Sequence, residues 1–198
     1  GLPRLSGHQA GIENMRRLVQ ILNEYPIKYV TLYGFSTENW NRPEAEVTGL
    51  FRIVADFMDK TALEVHRQGV KLRHIGRLEE LPKKLQQSIK KAVELTKNNS
   101  GMTLSIAFNY GARTEILDAV RRLIAEGVAP QEINEQMFAS YLYTAGLPDV
   151  DLLIRTGDEL RLSNFLIWQT TYSEYHFTKV LWPDFGKADI DKALLSYS

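Results

Sequence analysis

Apolar residues along the chain alternate between two spacings. A helical spacing, with apolar positions three or four residues apart, runs through Ile12, Met15, Leu18, Val19 and Leu22, and Pro26 closes that segment. Gly1 to Gly11 (GLPRLSGHQAG) reads as a glycine-rich lead-in before it. Lys28 to Phe35 (KYVTLYGF) is dense in β-branched and aromatic residues, which suit a strand, and Ser36 to Arg42 reads as a polar loop. A long helix then opens on Pro43, whose fixed φ fits a first helical turn. Val47, Leu50, Phe51, Val54, Phe57, Met58, Leu63 and Val65 form its apolar face, and Gly69 ends it.

The alternation continues. Val70 to Gly76 predicts a second strand, and Pro82 opens a helix with Leu85, Ile89, Ala92, Val93 and Thr96 on one side. Met102 to Phe108 predicts a third strand, broken by Asn109-Tyr110-Gly111. Arg113 to Glu126 reads as a helix stopped by Gly127, and Asn134 caps a short helix to Tyr143. Val150 to Ile154 is short and apolar enough for a buried strand, Tyr175 to Trp182 predicts a last strand, and Asp189 to Leu195 a closing helix. Such alternation predicts a single α/β domain over residues 1–198, with a central, mostly parallel sheet flanked by helices. Ligands of such folds bind where the strands end at their carboxyl edge. That edge would carry Ser36, Asn39, Trp40 and Arg42, then Arg77, then Asn109 and Arg113, then Arg155, Arg161 and Ser163.

The fourth of these strand ends is the most pointed. After Arg155 come Thr156, Gly157 and Asp158, all turn residues, and Arg161, Ser163 and Asn164 precede a second apolar run, Phe165 to Trp168. With Ser163 or Asn164 as its cap, that run predicts a helix whose free N–H groups point into the turn. Two guanidiniums and a hydroxyl there suit phosphate oxygens, and Glu174 offers a hard oxygen ligand for Mg²⁺. The structural alternative pairs the same arginines with Asp158 and Glu159 at the surface.

Composition narrows the classes. Lys plus Arg equals Asp plus Glu at 24 each, so the chain lacks the basic excess of a general nucleic-acid binder. It has no cysteine, hence neither disulfides nor thiolate chemistry, which fits a cytoplasmic protein. No apolar run approaches the roughly 20 residues of a membrane span.

The segments GHQAG, TLYGFSTENWNRP, IAFNYGAR, DLLIRTGDELRLSNFLIWQ and YSEYHFTKVLWPDF together resemble the cis-prenyltransferases typified by undecaprenyl diphosphate synthase. The resemblance spans nearly the whole chain. It implies a Mg²⁺-dependent enzyme that condenses isopentenyl diphosphate with an allylic diphosphate, commonly farnesyl diphosphate, giving a Z-polyprenyl diphosphate such as undecaprenyl diphosphate. It also implies a homodimer, with peripheral membrane contact for product release. By position, Arg155, Arg161, Leu162 and Ser163 resemble the isopentenyl diphosphate site, and Glu174 the metal ligand. Arg4, His8, Ser36, Thr37, Glu38, Trp40 and Arg42 match the allylic pocket, and Asn39 the catalytic position. A carboxamide is no useful base near neutral pH, so orienting a diphosphate oxygen or water is the chemistry expected of Asn39. The face from Val47 to Val65, with Gly34, Met102 and Leu104, is the expected wall of a hydrocarbon tunnel.

Three departures accompany the resemblance. The family's phosphate loop, Met-Asp-Gly-Asn-Gly-Arg-Trp, whose aspartate the resemblance makes the principal Mg²⁺ ligand, would precede Gly1; a polypeptide truly without it is expected to be inactive, and one from which it is merely trimmed is expected to keep the activity. Gly157-Asp158 stands where the family has two glycines, and the basic tail after the last helix is absent. The competing expectation is a non-catalytic partner subunit of a prenyltransferase.

Overall fold

The computed structural model describes residues 4–197. Among these residues six helices and five strands follow in the order α1 (Arg4–Leu22), β1 (Tyr29–Ser36), α2 (Glu44–Arg67), β2 (Lys71–Ile75), α3 (Lys83–Thr96), β3 (Thr103–Tyr110), α4 (Ala112–Ala125), α5 (Glu135–Tyr141), β4 (Leu152–Arg155), β5 (Glu174–Phe177) and α6 (Lys187–Tyr197). Every strand pairing is parallel. β3 lies between β1 and β2, and β4 pairs with β5 in a separate two-stranded sheet.

Local chemistry explains most boundaries. Pro43 caps α2, Glu44 and Glu46 sit at its positive end, and His66 and Arg67 at its negative end. Gly69 and Gly127 leave α2 and α4 through left-handed φ of 73° and 69°. Asn134 Oδ1 accepts the N–H of Met137 at 2.9 Å, an N-cap bond. On α3, Leu85, Ile89, Ala92 and Thr96 are buried, as their spacing requires.

Helices α1 to α3 cover one face of the three-stranded sheet. Phe35, Phe51, Ala55, Leu85, Ile89 and Phe108 form one core cluster; Val19, Met58, Leu72, Ala92 and Leu104 form the next. Ile75, Ala107, Tyr110, Ala112 and Leu166 pack on the opposite face. The register of β1 on β3 shifts between Tyr33 and Ser36, and Asn109 takes a left-handed φ of 53°. That irregularity re-aims the strand end, so Phe108 and Tyr110 serve opposite clusters.

Several expectations are corrected. Helix α1 begins at Arg4 and runs through Gly7 and Gly11. Gly11 is tolerated because it packs against Trp182, whose Nε1–H donates to the Gly11 carbonyl at 2.8 Å. Leu63 is 56% exposed and leaves the apolar face of α2. Residues Thr37–Asn41 form a 3-10 turn rather than irregular loop, and β5 ends at Phe177, well before Trp182. No helix forms over 165–168: Ser163, Asn164 and Leu166 have φ of 51°, 62° and 46°, incompatible with a right-handed helix.

Candidate active site

The carboxyl ends of β1, β3 and β4 meet at one rim. Gly111, just after β3, shows how closely. A Cβ there would lie 2.5 Å from Thr37 Oγ1 and 2.8 Å from Asn164 Nδ2, so any larger residue would push these two side chains aside.

The 3-10 turn Thr37–Asn41 leaves β1 with its side chains already committed. The Ser36 N–H donates to Asn39 Oδ1 at 3.1 Å. The carboxamide of Asn39 therefore has its oxygen occupied and its Nδ2 left to donate, the arrangement needed to hold a phosphate oxygen rather than take a proton. Trp40 Nε1–H donates to Asn109 Oδ1 at 2.8 Å, and its ring stands edge-on to Phe35 and Phe51. Glu38 accepts from Asn164 Nδ2 at 2.7 Å. Burial pushes the Glu38 carboxyl up, yet hydrogen bonds from Asn164, its own backbone, Ser36 and Thr37 together hold it below the usual range.

Arg155 ends β4, and its Nε is buried with no hydrogen-bond partner among the described residues. Tyr33 reports its neighbourhood: burial drives that hydroxyl up to about 12, Glu38 adds to the rise, and Ser36 and Arg155 oppose it. Tyr33, Ser36, Glu38 and Arg155 thus share one electrostatic environment. The Tyr33 ring stacks on Phe165 with centroids 4.4 Å apart, and its hydroxyl lies 3.2 Å from the Tyr110 carbonyl and 3.4 Å from that of Ser163. Asn164 is a cap after all, but of α4. Its carbonyl accepts from Ala112 N at 2.8 Å and its Oδ1 from Arg113 N at 2.9 Å.

Other expected residues lie less centrally. Arg161 pairs with Glu159 at the surface, as the structural alternative held. Leu162 is half-buried and Ser163 exposed beside it. Asp158 adopts a left-handed φ of 60°, a conformation that glycine takes without strain. His8 Nε2 lies 3.1 Å from Glu46 Oε1, and Arg42 Nη1 donates to the same oxygen at 3.0 Å. This cluster joins the start of α1 to the first turn of α2. The side chain of Arg4 falls outside the described residues.

Glu174 opens β5 in register with Leu152, upstream of Arg155 on the neighbouring strand, and its exposed carboxylate has no partner among the described residues. No group of three or more His, Asp or Glu among the described residues is placed to hold a metal.

Between α1 and α2 runs a groove of about 500 Å³ lined by Ile12, Ile53 and Phe57, with Glu13, Asp56 and Lys60 on its walls. It adjoins a narrower apolar cavity of about 30 Å³ among Met15, Val19, Phe57, Met58, Val65, Leu104 and Ile106. Of the residues expected to wall a tunnel, Phe57, Met58, Val65 and Leu104 line this cavity. Val47, Leu50, Phe51 and Met102 pack into the core, and Gly34 faces the Phe108 ring.

Residues 1–198 match the profile of the family described as "Putative undecaprenyl diphosphate synthase". The chain belongs to the undecaprenyl diphosphate synthase family. It is 47% identical to the isoprenyl transferase of Heliobacterium mobile, covering 100% of this chain and 77% of that protein. The Thermotoga maritima isoprenyl transferase is 46% identical, with 100% and 86% covered. Among solved structures, lavandulyl diphosphate synthase from Lavandula x intermedia, crystallised with dimethylallyl diphosphate, superposes with TM-score 0.95 at 38% identity, covering 100% of this chain and 87% of that one. A probable undecaprenyl diphosphate synthase from Campylobacter jejuni gives 0.85 at 34% identity, covering 95% and 88%. Membership supports a prenyltransferase enzyme on an α/β scaffold. Tyr33, Glu46 and Gly111 escaped sequence reasoning as site-building residues, with the turn signal Asn109-Tyr110-Gly111 the one trace of Gly111; Asn109 and Asn164 were read at the rim, but without the partners that hold them.

Proposed function

We propose that this family member condenses isopentenyl diphosphate with an allylic diphosphate, farnesyl diphosphate being the substrate the motifs imply, and extends it to a Z-polyprenyl diphosphate of undecaprenyl type. The observation that carries the reading is the buried, unpartnered Nε of Arg155 at the carboxyl end of β4. Buried donors are nearly always paired, and an anion arriving at the rim supplies the missing acceptor.

In the reaction, the allylic C1–O bond breaks and diphosphate departs, a bond forms between that carbon and C4 of isopentenyl diphosphate, and the C2 proton leaves to a diphosphate oxygen. The chain's own residues bind, orient and exclude water. Arg155, Ser163 and, on release from Glu159, Arg161 take the isopentenyl diphosphate. His8 and Arg42 face the allylic diphosphate, with Ser36, Thr37, Glu38 and Trp40 beside it and Asn39 donating to an oxygen. Charge on the departing diphosphate is stabilised by these fixed donors, and placing the two carbons in contact supplies the orientation. Glu174 is the proposed carboxylate for Mg²⁺, which when bound neutralises diphosphate charge. The α1–α2 groove and its inner cavity would take the hydrocarbon, the cavity widening as the chain grows.

We place the enzyme in the cytoplasm, with peripheral membrane contact at product release. Among the described residues no helix is long and apolar enough to cross a membrane. A homodimer is proposed from exposed apolar surface: Tyr175 and Phe177 on β5, and Leu117, Val120 and Ile124 along α4. A non-catalytic partner subunit would have no use for a buried guanidinium Nε left without an acceptor. The test is incubation of the full-length protein with radiolabelled isopentenyl diphosphate, farnesyl diphosphate and Mg²⁺, followed by product sizing. Labelled Z-polyprenyl diphosphate is expected; no incorporation would refute the reading.

A further inference from the structure

Asn109 has no assigned part in the reaction, yet its environment is unusual. It ends the central strand, is fully buried, and holds a left-handed φ of 53°. In the register of β1 on β3, Phe35 pairs with Phe108 and Ser36 with Tyr110, so Asn109 falls in the irregularity between them. Its amide is filled on all sides. Oδ1 accepts from Trp40 Nε1 at 2.8 Å, and Nδ2 donates to the Arg77 carbonyl at 3.0 Å and to Glu80 Oε2 at 2.9 Å. Only a carboxamide offers both the acceptor and the donors at this length, and asparagine tolerates left-handed backbone better than most residues.

These bonds link the end of β3 on one side to the turn after β2, and on the other to Thr37–Asn41. Among the described residues, the Trp40 side chain is otherwise held by ring contacts with Phe35 and Phe51, and it stays 40% exposed. Asn39 lies on the same turn, its Oδ1 held by the Ser36 N–H at 3.1 Å, so the aim of its Nδ2 depends on the turn keeping its shape, and Trp40 is the residue through which Asn109 holds that turn.

We propose that Asn109 is a positioning residue for the allylic half-site: by accepting the Trp40 indole N–H it fixes the Thr37–Asn41 turn and thereby the aim of Asn39. The inference rests on the prenyltransferase reading.

The test compares Asn109→Gly, Asn109→Asp and Trp40→Phe with wild type in the full-length enzyme. Glycine keeps the left-handed backbone and deletes the bonds. Aspartate keeps an acceptor for Trp40 but sets a carboxylate against Glu80 Oε2. Phenylalanine keeps a ring and removes the indole N–H. Asn109→Gly should raise KM for the allylic diphosphate or lower kcat by roughly five- to tenfold, the effect of one hydrogen bond, with KM for isopentenyl diphosphate within about twofold. Trp40→Phe should do the same, and the double variant should be no worse than the worse single variant, since both remove one bond. Equal loss at both half-sites, strictly additive variants, or wild-type kinetics in Asn109→Gly would each overturn the proposal. If Asn109→Gly does not fold, Trp40→Phe and Asn109→Asp decide together: an allylic-specific defect in Trp40→Phe with near wild-type allylic kinetics in Asn109→Asp, which keeps the acceptor, supports it, and unchanged kinetics in Trp40→Phe or an equal defect in Asn109→Asp overturns it. If wild type does not condense these substrates, the functional reading falls. The positioning claim is then read from the Trp40 indole proton, whose hydrogen exchange should quicken at least tenfold in Asn109→Gly; unchanged exchange would overturn it.

Discussion

Replacing Arg155 with methionine separates a binding role from a structural one, because the two predict opposite signs. The Nε of Arg155 is buried without a partner, so the unliganded fold carries the desolvation cost of a donor that bonds nothing. Such a group costs about 1–3 kcal/mol, and methionine keeps a stem of similar length without the donor. Arg155→Met should therefore stabilise the free protein by about 1 kcal/mol or more, or raise Tm by roughly 2–4 °C at this chain size. Hydrogen bonds to charged groups are worth about 1.5–3 kcal/mol, so the same change should weaken isopentenyl diphosphate binding roughly 10- to 100-fold. Calorimetric melting and equilibrium titration of the same two proteins give both numbers. A variant that melts lower while binding isopentenyl diphosphate normally would refute the reasoning, for it would make Arg155 a structural residue.

Other expectations follow from the same geometry. Asp118 receives two bonds from Arg77, at 2.7 and 2.8 Å, and these, against the opposing pull of burial, hold its carboxyl down to about 2 from an ordinary 3.8. That lowering contributes about 2 kcal/mol, complete above the unfolded value near pH 4 and lost as pH falls toward 2; urea unfolding of wild type and Asp118→Asn should differ by that amount at pH 7 and converge across this acid window. Arg161→Ala should raise KM for isopentenyl diphosphate far more than for the allylic substrate, with Tm nearly unchanged because its pair with Glu159 is exposed. Equal effects on both substrates would reject its pocket. Glu174→Ala should reduce turnover at limiting Mg²⁺ and leave melting intact; turnover equal to wild type there would remove it as a ligand.

How much of this was legible depended on whether the deciding forces were local. Pro43, Gly69, Gly127 and Asn134 act through their own backbone, and the helices they bound lie where the sequence puts them. Helix α1 was placed too late because Gly7 and Gly11 weaken a helix on propensity, whereas Trp182 stabilises it from far along the chain. The expected helix at Phe165 to Trp168 failed for a related reason. Tyr33 stacks on Phe165, and the segment takes left-handed turns to cap α4 instead. Residue types at the rim were readable from strand ends, but not the partners that aim them. Nothing near Asn109 in sequence announces Trp40, and nothing near Arg161 selects Glu159 over a phosphate.

The central claim is that the carboxyl ends of β1, β3 and β4 grip a diphosphate. A crystal structure of the full-length protein soaked with isopentenyl diphosphate alone, which cannot react without an allylic partner, tests it most directly. The account predicts diphosphate oxygens within hydrogen-bond distance of the Arg155 guanidinium and Ser163, with Arg161 turned from Glu159 toward them. Diphosphate bound elsewhere, with Arg155 Nε still unpartnered, would contradict it.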